Sequence, residues 1–163
     1  MKKVGIVMGS DSDRDVAKKA VDILKELEVP YEVHVYSAHR TPSEAAEFAK
    51  HAKENGFGAL ICIAGMAAHL GGVMAAYTTL PVVGVPVRSA GLGGLDALLA
   101  TVQMPSGIPV ATVAVDGAAN AALLCCEMFA LGDPELSAKL EARRESGRAK
   151  VLEKNARIEE EFN

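Results

Sequence analysis

Short apolar runs alternate with amphipathic segments along most of this chain, and that alternation leaves few folds open. Residues 4–8 read as a strand, and 13–27 as a helix with apolar Val16, Ala20, Ile23, Leu24 and Leu27 at helical spacing. The pattern repeats with a strand over 31–36 and a helix over 43–55 that stops at Gly56, a C-cap glycine. A strand over 59–64 precedes a small-residue helix over about 69–77, and a strand over 82–85 precedes a helix over 94–102. A strand over 110–115 and a helix over about 118–131 complete the series. The strands are continuously apolar, as expected where helices cover both faces of a sheet. Five βα repeats with short links predict an α/β fold, a parallel five-stranded sheet wound in three α/β/α layers.

Residues 132–163 differ. Asp133-Pro134 restarts a helix, and the remainder is dense in Glu, Lys and Arg with sparse apolar positions at Leu136, Leu140, Val151, Leu152, Ile158 and Phe162. A solvated surface helix accounts for this, and so does an arm laid across a neighbouring subunit. The later apolar residues have little of their own domain left to cover, which favours the arm. The expectation is one domain over 1–163, with an α/β core through 131 and a helical arm over 132–163.

Half of the 163 residues are hydrophobic, enough for a sizeable core. A formal net charge of −4 argues against nucleic acid or an acidic membrane surface as partner. Cys62 lies in an apolar strand and Cys125 and Cys126 are adjacent, which suits buried thiols in a reducing compartment. Met1-Lys2-Lys3-Val4 runs straight into a strand, without the apolar stretch and cleavage site of a secretory signal. The longest apolar region, 70–87, is broken by Gly71, Gly72, Pro81, Gly84 and Pro86, so it is not a membrane span. A cytoplasmic protein is expected.

The chemistry gathers where strands end. In a sheet ordered 2-1-3-4-5, strands 1 and 3 flank the switch point, and ligands bind at the strands' carboxyl ends. Three polar loops fall there: Gly9-Ser10-Asp11-Ser12-Asp13, Ser37-Ala38-His39-Arg40-Thr41-Pro42, and Gly65-Met66-Ala67-Ala68-His69-Leu70. His39 can move a proton near neutral pH and Arg40 can grip an anion. Thr41 suits a helix cap and Pro42 the first helical position. The first loop offers hydroxyls and a helix amino end, which suit a phosphate. Ser10 and Ser12 also suit plain turn or cap positions. Asp13 could cap the helix; an aspartate beside a phosphate is repelled, so sugar hydroxyls are its better ligand. His69 fits either the pocket or an ordinary first turn of a helix. His34 and His51 look like surface positions without a role, and no Cys/His/Asp cluster has metal-ligand spacing. Gly91-Leu92-Gly93-Gly94 follows strand 4, not strand 1, and lacks the last glycine of a dinucleotide motif, so it reads as a flexible loop.

Taken together, the loops resemble those of the N5-carboxyaminoimidazole ribonucleotide mutase family of purine biosynthesis. The likeness runs through Met8-Gly9-Ser10-x-Ser12-Asp13, Ser37 to Pro42, and Ala67-Ala68-His69-Leu70. It continues through Pro81-Val82-x-Gly84-Val85-Pro86-Val87, Val102-Gln103-Met104-Pro105-x-Gly107-Ile108-Pro109-Val110-Ala111-Thr112 and Asn120-Ala121-Ala122-Leu123-Leu124, from residue 4 to about 131. It implies a flavodoxin-like fold assembled as a homo-octamer with active sites at subunit junctions, and it implies no metal and no organic cofactor. The implied reaction moves a carboxyl group from the exocyclic nitrogen of an imidazole ribonucleotide to ring carbon 4. In the implied site His39 transfers protons, Ser10, Ser12 and Arg40 hold the phosphate end, Asp13 holds the ribose, and Ser37 is a further substrate-binding residue. The backbone of Gly65, Ala67, Ala68, His69 and Leu70 closes over the carboxylate, with His69 shaping the loop.

Two positions depart from the family pattern, which commonly has glycine at Met66 and proline at Gly71. A methionine is strained if position 66 needs a positive φ, and Gly71 loosens the start of the next helix. The nearest alternative activity is direct carboxylation of aminoimidazole ribonucleotide with carbon dioxide. That class tends to carry lysine after the loop histidine and to lack Ala-Ala-His-Leu, so Arg40 and Ala67 to Leu70 favour the mutase. A non-enzymatic flavodoxin-like module is a poorer match. A response regulator needs an acidic residue at Ala64-Gly65, and a flavin carrier needs aromatics where this chain has 4% overall and no Trp.

Overall fold

Strands β1 (Lys3–Met8), β2 (Tyr31–Val35), β3 (Phe57–Gly65), β4 (Val82–Val87) and β5 (Ala111–Thr112) form one sheet in the order β2-β1-β3-β4-β5. The structure, a computed structural model, describes residues 2–163. Every strand pair is parallel, so each connection crosses over through a helix: α1 (Arg14–Glu26), α2 (Pro42–His51), α3 (Leu70–Tyr77) and α4 (Leu95–Val102). Helices α5 (Ala118–Ala130) and α6 (Pro134–Phe162) follow. The strand order reverses between β1 and β3, which opens a crevice at their carboxyl ends.

Both faces of the sheet are covered, which explains the continuous apolar runs. On one face Val7, Leu60 and Cys62 pack with Ala45 and Ala49 of α2 and with Leu70 and Met74 of α3. Strand geometry turns the alternate residues Val4, Ile6, Ala59, Ile61 and Ile63 to the other face, and these are fully buried as well. Helix α1 buries Ala17, Ala20, Ile23 and Leu24. Each large aliphatic side chain so buried contributes about 1.5–3 kcal/mol. Helix α4 sits close on β4 at Gly84, where a Cβ would lie 2.3 Å from Thr101 Cγ2 and 3.0 Å from Val110 Cγ1. No side chain fits there.

Four expectations shift on inspection. Helix α1 begins after a 3-10 turn over Asp11–Asp13. Helix α2 ends at His51, and turns carry the chain on to Gly56, which adopts φ 84°. Edge strand β2 leaves Val33 and Val35 exposed despite its apolar sequence. The strand expected over 110–115 is only Ala111–Thr112. The chain still follows β4 beyond it, through Val113 N–H to Gly84 O at 3.0 Å and Asp116 N–H to Pro86 O at 2.9 Å. Pro109 supplies no donor before it, and Asp116, at φ 59°, turns the chain away after it.

The chain divides into two compact units, one ending at Cys125 and one over Cys126–Asn163. The whole sheet lies in the first. In the second, the Asp133 carboxylate accepts the Leu136 N–H at 3.1 Å and caps α6, with Pro134 in its first turn. Leu136 and Leu140 are buried, while Val151, Leu152, Ile158 and Phe162 are exposed. Arg144 meets Glu127 at 2.6 Å, and Arg157 meets Glu153 at 3.2 Å one turn apart; exposed pairs of this kind contribute little to stability. All three cysteines are buried. Desolvation pushes the Cys62 thiol up to about 12 and the Cys126 thiol up to about 11, which makes both inert. Among the described residues no helix is long and apolar enough to cross a membrane.

Candidate active site

At the end of β1 the backbone is extended at Ser10, whose hydroxyl oxygen accepts the Ser12 N–H at 3.3 Å and the Ser12 hydroxyl at 2.9 Å. This hydroxyl pair starts the 3-10 turn that leads into α1. Asp13 occupies the cap position of α1 but makes no side-chain cap bond, so the capping role open to it in the sequence is not the one it performs. It is buried, 8% exposed. Burial raises its carboxyl above the usual range, the hydrogen bond from Ser12 opposes this, and the nearby charges of Asp11 and Asp116 add to the rise.

The sign of the stability effect follows. A folded-state pKa raised above the unfolded value means stability that is whole below the ordinary carboxylate pKa and is lost as pH rises through the folded value. At neutral pH, above the ordinary carboxylate pKa, Asp13 therefore costs stability. Asp13→Asn is expected to raise the melting temperature at neutral pH, with the gain fading at about pH 3, while weakening binding of a hydroxyl-bearing ligand. Thermal unfolding at the two pH values checks it; an unchanged or lower melting temperature at neutral pH contradicts it.

After β2, Thr41 does not cap α2. Its hydroxyl accepts the Ser37 N–H at 2.8 Å and donates to Ser37 O at 3.2 Å, and its own N–H donates to Ser37 O at 2.9 Å. Threonine thus locks both ends of the loop together. Inside the loop the Ser37 hydroxyl accepts the N–H groups of His39 at 3.3 Å and Arg40 at 3.1 Å. Ser37 and Thr41 hold the turn, and the turn presents His39 and Arg40 to solvent.

After β3, Gly65 still pairs with Val87 of β4. The next residue, Met66, adopts φ 51° and is 69% exposed. The strain foreseen for a methionine at this position is therefore present, at about 1–3 kcal/mol for a left-handed non-glycine residue. Ala68 N–H donates to Met66 O at 2.9 Å and His69 N–H to Ala67 O at 2.8 Å. Ala68 and Leu70 are buried anchors. His69 precedes α3 without capping it. Its Nδ1 lies 2.8 Å from His39 Nε2, with the rings nearly perpendicular at 78°. His69 thus does more than shape its loop.

The three loops meet around a pocket of about 400 Å³. Ser10, Ser12, Asp13, Ser37, His39, Arg40, Gly65, Ala67 and Leu70 line its wall. Ala68 and His69 stand behind that wall, as anchor and as hydrogen-bond partner. A fourth loop, Arg88 to Ala90 after β4, joins the lining and was not singled out in the sequence. Its signal was available, because a cation directly after a strand's carboxyl end is on the ligand side of the sheet. Arg88 is tied to Asp116, backbone N–H to Oδ1 at 3.0 Å and Nε to Oδ2 at 3.4 Å. Arg40 has no ion-pair partner among the described residues, so its guanidinium is available to a ligand anion. His34 and His51 lie outside the pocket lining; His34 stacks on Tyr36 and touches Glu32. Gly93 and Gly94 take positive φ and turn the chain into α4.

Doubly wound sheet, switch-point pocket and paired histidines beside an open arginine define an α/β protein whose polar loops gather at the strands' carboxyl ends. Residues 3–150 match the family described as AIR carboxylase, and the chain belongs to that family. It is 55% identical to the N5-carboxyaminoimidazole ribonucleotide mutase of Pyrococcus horikoshii, over 96% of this chain and 89% of that protein. To the mutase of the same name from Bacillus subtilis it is 52% identical, over 95% of this chain and 97% of that one. The crystal structure of Treponema denticola PurE superposes with a TM-score of 0.87 at 30% identity, covering 95% of this chain and 97% of that one.

Proposed function

We propose that this chain is an N5-carboxyaminoimidazole ribonucleotide mutase of purine biosynthesis, working in the pocket at the β1/β3 switch point. The observation that carries the placement is the His39–His69 pair at 2.8 Å beside Arg40 and the Ser10–Ser12 hydroxyls. Arg40, Ser10, Ser12 and the start of α1 suit the phosphate. Ser37 acts there by fixing Arg40. Asp13 takes the ribose hydroxyls, and the backbone of residues 65–70 faces the carboxylate.

The chemistry needs one mobile proton. His39 gives a proton to the exocyclic nitrogen as its bond to the carboxyl carbon breaks, releasing carbon dioxide and leaving an electron-rich aminoimidazole. Ring carbon 4 then attacks the trapped carbon dioxide, and its hydrogen leaves as a proton to His39. One proton is lent and one recovered, so the reaction is a balanced isomerisation. General acid–base transfer supplies about 10²–10⁴ in rate, and holding carbon dioxide beside carbon 4 makes recapture effectively unimolecular. His69 suits both halves. Its Nδ1 accepts from His39 Nε2–H in one tautomer and donates to a bare Nε2 in the other.

The chain acts as one catalytic domain, in the cytoplasm, as a homo-octamer whose C-terminal arm reaches a neighbour. Exposed Leu92, Leu95, Leu99 and Val102 form an apolar stripe at α4, and Val151, Leu152, Ile158 and Phe162 remain exposed on α6. Both suit burial against further copies, which a mass measurement in solution checks. The activity is tested by offering two substrates separately. The carbamate ribonucleotide is expected to yield the 4-carboxy product, and aminoimidazole ribonucleotide with bicarbonate is expected to turn over poorly. The reverse preference contradicts the mutase.

A further inference from the structure

Met66 combines two unfavourable features. Its backbone is left-handed at φ 51°, and its large apolar side chain is 69% exposed. Among the described residues lining the pocket it is the one exposed large hydrophobic side chain. Its Cα is held firmly: Gly65 is still in the sheet, Ala68 N–H bonds back to Met66 O at 2.9 Å, and buried Ala68 and Leu70 pin the far side. Beyond Cβ the side chain is unbranched and adaptable, with a polarizable sulfur. A fixed stem beside the pocket therefore bears a mobile apolar arm. Across the lining, His39 and Arg40 are open to solvent. Carbon dioxide released beside His39 would have a way out.

We propose that Met66 is the cover of this pocket, folding over the bound imidazole ring and holding released carbon dioxide until carbon 4 recaptures it. This rests on the mutase activity proposed above. Strained non-glycine residues persist where the surrounding structure holds them; Glu28 and Asp116 share this backbone at turns, and what sets Met66 apart is a large exposed apolar side chain on the pocket lining. Escape is the competing path: the carbamate gains a proton on nitrogen, loses carbon dioxide to solvent, and leaves free aminoimidazole ribonucleotide. A side chain that covers the ring alters the ratio of recapture to escape, not the transfer of the proton.

The test uses the full chain with substrate labelled with ¹³C in the carbamate, in unlabelled bicarbonate, corrected for spontaneous loss without enzyme. Wild type is expected to keep most of the label in the 4-carboxy product. Met66→Gly, which relieves the strain and removes the cover, is expected to release a several-fold larger share as free amine and to dilute the label. Met66→Leu, which keeps an apolar cover, is expected to stay near wild type. Unchanged label retention in Met66→Gly overturns the proposal. A changed oligomeric mass with unchanged retention also overturns it, assigning Met66 to contact between copies. Failure of wild type to convert the carbamate at all overturns the activity and this role together, a result distinct from conversion with unaltered partition.

Discussion

His39→Asn is expected to lower turnover by about 10²–10⁴, the range supplied by a positioned general acid–base, with folding intact. The substitution removes a group that both gives and takes a proton; it gives up the hydrogen bond to His69 but leaves the bonds within its own loop in place. The bonds that shape the turn come from Ser37 and Thr41 through backbone atoms, including the His39 N–H, which asparagine retains. The imidazole is exposed, so no core contact is lost. Steady-state rates with the carbamate ribonucleotide, beside a thermal unfolding curve, separate chemistry from stability. Residual activity within a few-fold of wild type removes His39 from proton transfer.

Arg40→Ala is expected to act on binding. The guanidinium has no ion-pair partner among the described residues, so its loss orphans no carboxylate, and stability is expected to stay near wild type. A charge-assisted hydrogen bond contributes about 1.5–3 kcal/mol, which corresponds to roughly 10- to 150-fold in affinity. The larger share should appear in KM, because the phosphate is remote from the reacting carbon and is held equally in ground and transition states. Arg88 is the contrast. Its Asp116 partner already occupies part of the guanidinium, so Arg88→Ala is expected to weaken binding less. Equal affinity for wild type and Arg40→Ala contradicts the phosphate assignment.

The alternation of apolar runs and helical segments was enough to read a parallel, doubly wound sheet, because strands such as β1 and β3 are buried on both faces and their sequences say so; the order 2-1-3-4-5 came from the common winding of such sheets, and the structure has it. Edge strands were less legible. β2 reads as apolar yet exposes Val33 and Val35, and β5 shrinks to two residues between Pro109 and the left-handed turn at Asp116. The convergence of the 9–13, 37–42 and 65–70 loops follows from where the strands end, and that was readable too. Thr41 was legible as a local cap, but its hydroxyl turns back to Ser37, a choice made by the loop's own closure. The His39–His69 hydrogen bond joins residues thirty apart in sequence, and only the lateral register of β2, β1 and β3 brings them together. The cost of Met66 was foreseen from the glycine common at that position in the family; its exposure over the pocket is a property of the fold.

The central claim is that the ribonucleotide binds where His39 and His69 meet. Histidine ring ¹⁵N resonances, followed while the 4-carboxy product is added, test it directly, because two of the four histidines, His39 and His69, meet at the pocket and the other two, His34 and His51, lie outside its lining. The signals of His39 and His69 are expected to move together as the product saturates the site, with His34 and His51 still. Saturable binding that leaves His39 and His69 unmoved contradicts the account.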